Sequence, residues 1–208
     1  MYKLYYSPGA CSLAAHIVLE WIGHPYEAIR SNPGNPEYLK INPAGAVPAL
    51  DIGTDAPLTQ SAAILHFLAR RFPEADLDAG PNLERTAEME RWSSFLTGDL
   101  HPAFFPIFMT QRYTTATDEA SLAHVREAAV ALVRKKLSLL DKQLEGRRYV
   151  LGAKRTFVDA YAVPMVRWAV STIPGGLADY PDVKRHHEHM LADPAVQRAM
   201  RDEGLIKD

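Results

Sequence analysis

The single cysteine of the chain, Cys11, is the residue best suited to nucleophilic chemistry. It follows the aromatic run Tyr2–Tyr6 and the turn residues Pro8 and Gly9, so we expect it near the N-terminus of a helix. The free amide groups and the dipole at such a position lower the pKa of a thiol and favour the reactive thiolate. Free cysteines are also often small buried apolar residues, and position alone leaves both interpretations open. Because there is no second cysteine, a dithiol mechanism within one chain is excluded.

Two further stretches could bind an extended, anionic ligand. In the first, Pro48 enters a strand directly after a loop, which is compatible with a cis peptide bond and would present the backbone of Val47 to an added peptide strand. In the second, Gln60 or Ser61 opens a helix whose free amide groups suit a carboxylate or a phosphate. Each stretch alone also fits a simpler account, an edge strand after a loop and an ordinary N-cap serine.

Three histidines stand at positions where an imidazole could act. His101 could donate or accept a proton near neutral pH, or it could simply shape the chain before Pro102. His186 and His189 lie three residues apart and could meet a metal on one helix face. Only two well-placed ligands are visible there and the flanking residues are charged, so we expect a solvated helix face and no metal site.

The pattern of strand and helix signals predicts two parts. Over residues 1–76 the order is β-α-β-α-β-β-α, which indicates a small α/β domain, and the Pro- and Gly-containing stretch 77–83 reads as a linker. Residues 84–208 carry helical periodicity alone, so the fold class is α/β plus all-α. Thr156 and Asp159 form a capping box, which we interpret as a folding element. The predicted helices of the second part are Glu84–Thr110, Glu119–Glu145, Thr156–Ser171, Pro181–Leu191 and Pro194–Arg201.

Composition excludes several classes of function. The 208 residues carry a formal net charge of −2, which gives no basic footprint for nucleic acid. No apolar run approaches the roughly 18 residues that span a bilayer, and the N-terminus lacks the layout of a signal peptide. One cysteine cannot form an intrachain disulfide. We therefore expect a soluble cytoplasmic protein with neither nucleic acid nor membrane as partner.

Taken together, these stretches resemble the cytosolic glutathione S-transferase family, and in particular its bacterial beta class, which is marked by a cysteine at this point. The resemblance covers nearly the whole chain. It implies a thioredoxin-like N-terminal domain, an all-helical C-terminal domain forming the second-substrate pocket, a homodimer, and glutathione as cosubstrate without a metal. The segments that carry it are Tyr6–Leu13, Asn42–Leu50, Leu58–Ile64, Glu90–Phe95, Asp99–Pro102, Thr156–Tyr161 and Glu203–Lys207.

The resemblance also implies catalytic roles for three residues. Cys11 lies next to the glutathione sulfur and can form a mixed disulfide with it. Tyr6, at the end of a strand, lies near the same sulfur. His101 faces that sulfur from the second domain.

For binding, the resemblance implies that the backbone of Val47, before a cis Pro48, pairs with the cysteinyl part of glutathione. Gln60 and Ser61 receive the γ-glutamyl end at the helix N-terminus. Ser94 stands where close beta-class relatives have an asparagine, and we include it among the binding residues. Beta-class relatives also carry a lysine that meets the glycyl carboxylate. The shorter loop here has none, which leaves Arg30 or Lys40 as candidate substitutes.

The implied function is conjugation of the glutathione thiolate to small hydrophobic electrophiles, with glutathione-dependent thiol–disulfide exchange or peroxide reduction through Cys11 as a side activity. One alternative is a non-catalytic binding or scaffold protein of the same fold. Another, a thioredoxin-like redox protein without glutathione, is weakened by the absent second cysteine. The expected core and wall of the second-substrate pocket are Phe104, Phe105, Phe108, Met109 and Tyr113.

Overall fold

A small mixed sheet organises the first part of the chain in the computed structural model, which describes residues 1–207. The first strand lies inside the sheet, parallel to the second and antiparallel to the third, and the fourth pairs antiparallel with the third at the far edge. The strand order is therefore β2-β1-β3-β4, in agreement with the thioredoxin-like expectation. The strands are β1 (Tyr2–Tyr6), β2 (Tyr26–Arg30), β3 (Ala49–Asp51) and β4 (Leu58–Thr59).

Three helices alternate with these strands in the predicted order: α1 (Leu13–Ile22), α2 (Pro36–Ile41) and α3 (Ser61–Arg71). Gly23 ends α1 with a φ of 70°, a left-handed conformation that suits glycine. Cys11, expected near the N-terminus of a helix, lies in the turn just before α1.

The rest of the described chain forms helices joined by loops and turns, as expected. The C-terminal residue of the predicted domain 84–208 lies outside the described residues. The helices are α4 (Leu83–Ser94), a π-helical segment Phe95–Leu100 that continues it, α5 (His101–Ala103), α6 (Phe105–Phe108), α7 (Glu119–Leu144), α8 (Phe157–Thr172), α9 (Pro181–Leu191) and α10 (Pro194–Asp202).

The prediction of one continuous helix over Glu84–Thr110 was wrong. The chain widens into the π-helical segment and then breaks into two short helices. Pro102 has no amide hydrogen to donate to the preceding turn, and Pro106 repeats the interruption four residues later. These interruptions turn His101 and Phe105 towards the first part of the chain.

A single hydrophobic core joins the two parts. Helix α1 packs against β1 and α3 and also against α8 and α10. Most of α8 is buried, which explains why apolar residues occur all around it. The core includes Leu4 and Ile17 from the first part together with Phe157, Met165 and Val196 from the second.

The capping box at the start of α8 extends further than the sequence indicates. Asp159 Oδ2 accepts a hydrogen bond from the Thr156 amide at 2.8 Å, and Oδ1 accepts one from the Val150 amide at 2.8 Å. His186 Nε2 lies 2.9 Å from the same Oδ1 and the side chain is 1% exposed. The expectation of a solvated face at His186 was therefore wrong, because this imidazole serves the buried carboxylate of another helix. His189 lies beside it at the partly exposed edge.

Residues of α8 and of the segment just after α10 form hydrogen bonds with the turn that carries Cys11 and with α1. Buried Glu203 accepts a hydrogen bond from the Gly9 amide at 2.8 Å, and its other oxygen lies 3.1 Å from His16 Nδ1. Trp168 of α8 donates to the Gly9 carbonyl at 2.8 Å. These contacts fix the turn against the helical part. Across residues 1–207, no helix is both long and apolar enough to cross a membrane.

Candidate functional site

A cleft of about 380 Å³ opens where the sheet edge and the start of α3 face α5 and α8. Both parts of the chain contribute to it, and so do most of the residues that the sequence singled out. It is lined by Cys11, Asn42, Ala44, Ala46, Val47, Pro48, Thr59, Gln60, Ser61, Ala62, Thr97, His101, Pro102, Phe105 and Tyr161.

The loop before β3 is held in a defined shape at one side of this cleft. The Ala46 carbonyl accepts two hydrogen bonds of 2.7 Å, one from the Tyr38 hydroxyl and one from the side-chain amide of Asn42. The Val47–Pro48 peptide bond is cis, as the resemblance implies. This arrangement brings Val47 to the cleft wall, where its backbone can pair with an extended ligand.

The N-terminus of α3 forms the adjacent wall. Gln60 has a φ of 70°, a left-handed conformation that non-glycine residues adopt infrequently and that is common at functional sites. Its side chain makes no capping hydrogen bond to α3. Since Gln60, Ser61 and Ala62 all line the cleft, the uncapped amide end of an eleven-residue helix faces it and suits a carboxylate.

Cys11 is a buried thiol rather than an activated thiolate. Its Sγ donates a hydrogen bond to the Val47 carbonyl at 3.3 Å, and the residue is 8% exposed. Burial raises the pKa of the thiol, an effect that the Ser61 hydroxyl and nearby amides only partly offset. Of the two interpretations that the sequence left open, the structure therefore favours the buried thiol, because loss of hydration outweighs the favourable position before α1.

His101 reaches the cleft from α5. Its Nδ1 lies 2.6 Å from the Tyr161 hydroxyl, and its ring packs against Phe105 and Trp168 at centroid distances of 4.9 Å and 5.1 Å. Burial lowers the pKa of His101 to about 4, so the imidazole is neutral at pH 7. A neutral imidazole can donate one hydrogen bond and accept another, but it supplies no charge.

Two predicted site residues lie elsewhere. The Tyr6 hydroxyl donates to the Asp202 backbone carbonyl at 3.3 Å, and its ring packs against His16, so this side chain points to the C-terminal helix and not into the cleft. Ser94 is exposed and does not line the cleft. Thr97, in the π-helical segment that follows Ser94, lines it instead.

The two candidate substitutes for the missing lysine are also outside the cleft. Arg30 is exposed, and Lys40 binds Glu37 of its own helix at 2.7 Å. Of the described residues that line the cleft, none is Lys, Arg, Asp or Glu. The cleft of one chain therefore offers a ligand hydrogen bonds and a helix terminus, but no formal charge.

The structure adds residues that the sequence did not assign to the site. Thr97 and Asn42 carry no pattern of their own that predicts their place. Tyr161 belongs to the capping-box segment, whose spacing pointed to folding alone. Of the five residues expected in the core and the apolar pocket wall, Phe105 lines the cleft and Phe104 is fully buried.

Comparison with known proteins agrees with this geometry. The family model for the glutathione S-transferase N-terminal domain matches residues 9–71, and the model for the C-terminal domain matches residues 99–194. The chain is 38% identical to glutathione S-transferase GST-4.5 of Xanthomonas campestris pv. campestris, over 98% of this chain and 99% of that protein.

Solved structures give the same result. A glutathione S-transferase from Xylella fastidiosa superposes with a TM-score of 0.91 at 36% identity, covering 99% of this chain and 100% of that one. A sphingomonad glutathione S-transferase complexed with glutathione gives 0.85 at 33% identity, with 98% and 100% covered. The bacterial beta-class enzyme of Sphingomonas chungbukensis gives 0.85 at 31% identity, also with 98% and 100% covered. This chain belongs to the glutathione S-transferase family and shares the fold of its bacterial beta class.

Proposed function

We propose that the chain binds glutathione in this cleft and conjugates it, through its sulfur, to small hydrophobic electrophiles. One observation carries the proposal: four features line the same cavity. They are the cis Val47–Pro48 peptide at the sheet edge, the uncapped N-terminus of α3, Cys11 and His101. A scaffold protein has no need of these four features together. The sphingomonad relative complexed with glutathione supports the choice of ligand.

In the proposed reaction, glutathione lies extended, with its backbone along Val47 and its γ-glutamyl carboxylate at Gln60 and Ser61. Its sulfur lies between Cys11 and His101. The glutathione thiol releases its proton to water, and hydrogen-bond donors in the cleft stabilise the thiolate that remains. The thiolate then attacks the electrophilic carbon, a carbon–sulfur bond forms, and the leaving group departs with its electron pair. Phe105 and Pro102 supply an apolar surface for the electrophile.

The test is calorimetric titration with reduced glutathione, followed by turnover of 1-chloro-2,4-dinitrobenzene. We expect saturable binding and glutathione-dependent release of chloride. Ser61→Ala keeps the helix but removes a hydroxyl from the cleft, so it should weaken binding. A wild-type protein that binds no glutathione would overturn the proposal and favour the scaffold alternative.

Thiol–disulfide exchange is a second candidate, because the sulfur of Cys11 lies at the cleft wall. The Cys11 thiolate would attack the glutathione sulfur of a disulfide between glutathione and a second thiol and release that second thiol as a thiolate, leaving a mixed disulfide with glutathione on the protein. A reduced glutathione then attacks the glutathione sulfur and releases Cys11. With a peroxide, Cys11 would be oxidised to the sulfenic acid with loss of water or an alcohol, and two glutathione molecules would restore it.

Intact mass after incubation with oxidised glutathione tests this activity. We expect a gain of one glutathione that a reductant removes and that Cys11→Ala abolishes, while conjugation by Cys11→Ala persists. Because the buried thiol is protonated at neutral pH, the adduct should form faster as pH rises. Loss of both activities in a folded, glutathione-binding Cys11→Ala protein would contradict the division of roles.

We also propose a cytoplasmic homodimer. The family resemblance supports the dimer, and the single unpaired cysteine fits a reducing compartment. Sedimentation velocity would give the oligomeric state, with twice the chain mass as the expected result and a monomer as the contrary one.

A further inference from the structure

One polar side chain in the cleft has no part in the reaction proposed above. Tyr161 extends from α8, is 2% exposed, and places its hydroxyl 2.6 Å from His101 Nδ1. Burial raises the pKa of Tyr161 and that of Cys11, and the Ser61 hydroxyl partly offsets this effect in both. All four side chains, those of Cys11, Ser61, His101 and Tyr161, line the cleft. Within it, the hydroxyl of Tyr161 contacts the imidazole directly.

The direction of the Tyr161–His101 hydrogen bond follows from the available donors and acceptors. Burial raises the pKa of Tyr161 and lowers that of His101, so both groups are neutral near pH 7. The phenol has one proton to donate, and either His101 Nδ1 or the Ser61 hydroxyl oxygen can accept it. The 2.6 Å separation from Nδ1 is shorter than usual for an N–H donor and ordinary for an O–H donor, and the imidazole nitrogen is the stronger acceptor of the two. Tyr161 therefore donates, and His101 carries its proton on Nε2.

The other imidazole nitrogen is accessible. His101 lines the cleft. In the described chain, its Nε2 is not one of the side-chain atoms that are both fully buried and without a hydrogen-bond partner. A protonated Nε2 can donate a hydrogen bond to a thiolate, whereas an unprotonated Nε2 would repel one. Since the ring is neutral, its tautomer decides whether it helps or hinders the sulfur.

We propose that Tyr161 is a positioning residue whose hydroxyl holds His101 in the tautomer that directs Nε2–H to the glutathione sulfur. The role of Nε2–H towards the glutathione sulfur rests on the proposed function, whereas the tautomer of His101 does not depend on it. Tyr161 acts through His101 and need not touch glutathione. Its place in α8 also makes the orientation of the imidazole depend on the packing of α8 against the segment that carries His101.

The tautomer can be measured in the free protein by two-dimensional ¹H–¹⁵N correlation of the histidine rings. The His101 signals are identified by their loss in His101→Gln. We expect a protonated Nε2 and an unprotonated, hydrogen-bonded Nδ1 at pH 7. A protonated Nδ1 in the wild-type protein would overturn the inference, whatever the enzyme does.

The matching functional test is Tyr161→Phe, which keeps the ring and removes the hydroxyl. We expect kcat for conjugation of 1-chloro-2,4-dinitrobenzene to fall about tenfold, with the KM for glutathione unchanged within about twofold. The His101 Nδ1 signal should also move as its hydrogen bond is lost. The control is Tyr180→Phe, because Tyr180 is 5% exposed and its hydroxyl donates to the Arg134 carbonyl at 3.3 Å, outside the cleft. It should leave kcat and the His101 signals unchanged.

The two proposals fail in different ways. A wild-type protein that binds no glutathione would contradict the proposed function and leave the tautomer measurement intact. A Tyr161→Phe protein that binds glutathione and turns over at the wild-type rate would contradict the positioning role alone. Equal losses of kcat in Tyr161→Phe and Tyr180→Phe would show a general effect of removing a buried hydroxyl, and would also reject that role.

Discussion

At Cys11, two local effects on one thiol oppose each other. The turn before α1 offers amide groups that favour a thiolate, while burial at 8% exposure favours the neutral thiol. Burial is the larger effect. Burial also lowers the pKa of His101 and holds it neutral. The free site is therefore made of neutral hydrogen-bonding groups, which suits stabilisation of a substrate thiolate more than attack by the protein's own sulfur.

The lowered pKa of His101 predicts a pH effect on stability. The unfolded chain takes up a proton near pH 6.5, whereas the folded chain takes it up only near pH 4. The unfolded state thus binds more protons between these values, and folding stability falls as pH drops through this window. His101→Gln removes the effect, so its loss of unfolding free energy between pH 7 and 4.5 should be smaller than the wild-type loss by about 2 kcal/mol.

Urea unfolding of both proteins at pH 7 and pH 4.5 measures this difference. His187, whose pKa burial also lowers to about 4, is present in both proteins and cancels in the comparison. Equal pH dependence in the two proteins would contradict the assignment of a low pKa to His101.

Among the elements, the segment from Phe95 to Phe108 departs most from its prediction. Ser94, the last residue of α4, is exposed, whereas Thr97 in the π-helical segment that follows lines the cleft. Pro102 and Pro106 then break the helix into short pieces that carry His101 and Phe105. The irregularity therefore has a consequence for function, since it sets which side chains reach the cleft.

The N-terminus of α8 gives a stability prediction. Asp159 is fully buried and satisfies the amides of Thr156 and Val150 as well as His186. Asp159→Ala should reduce the free energy of unfolding by about 3 kcal/mol or more, because the cap is lost and buried donors remain unpaired.

The control is Asn82→Ala, which removes an exposed cap of α4 whose side chain accepts from the Arg85 amide at 2.7 Å. It should cost about 1 kcal/mol. Denaturant unfolding of both variants measures the two values. If the two losses were equal, Asp159 would be an ordinary cap without the added cost of burial.

For the molecule as a whole, Glu203 predicts coupling between its two parts. Its carboxylate holds the Gly9 amide and faces His16, so Glu203→Gln should lower the free energy of unfolding by about 2 kcal/mol. Asp202→Asn is the control, because its carboxylate is 59% exposed and lies 3.8 Å from His16 Nε2. That change should cost less than about 0.5 kcal/mol. Similar losses in the two variants, measured by thermal or urea unfolding, would show that the contacts of Glu203 with Gly9 and His16 do not stabilise the fold in this way.

The uncharged cleft predicts how glutathione affinity responds to salt. Since no described lining residue is Lys, Arg, Asp or Glu, ionic screening has little to act on within one chain. We expect the Kd for reduced glutathione to change by less than about twofold between 0.05 and 0.5 M NaCl, as measured by calorimetry. A steep increase in Kd would show that a charge from outside this cleft, such as one from a partner subunit, holds a carboxylate of the ligand.

Much of the fold and part of the site could be predicted from local sequence. The order of strands and helices follows from periodicity and turn residues, as at Gly23, and the capping box follows from the spacing of Thr156 and Asp159. The cis peptide at Pro48 came from the family resemblance. These features depend on neighbours a few residues away, which a sequence displays directly.

The rest depended on contacts between distant parts of the chain. The orientation of Tyr6 towards Asp202, the hydrogen bond of His186 with Asp159 and that of Tyr161 with His101 join residues 196, 27 and 60 positions apart. The pKa values of Cys11 and His101 depend on burial, which arises only when the helical part packs against the sheet. The sequence by itself determined which chemical groups are available and the order of the strands and helices in the first part. Only the tertiary structure decided which groups meet and how much water they lose, because both are set by packing between segments that are distant in the chain.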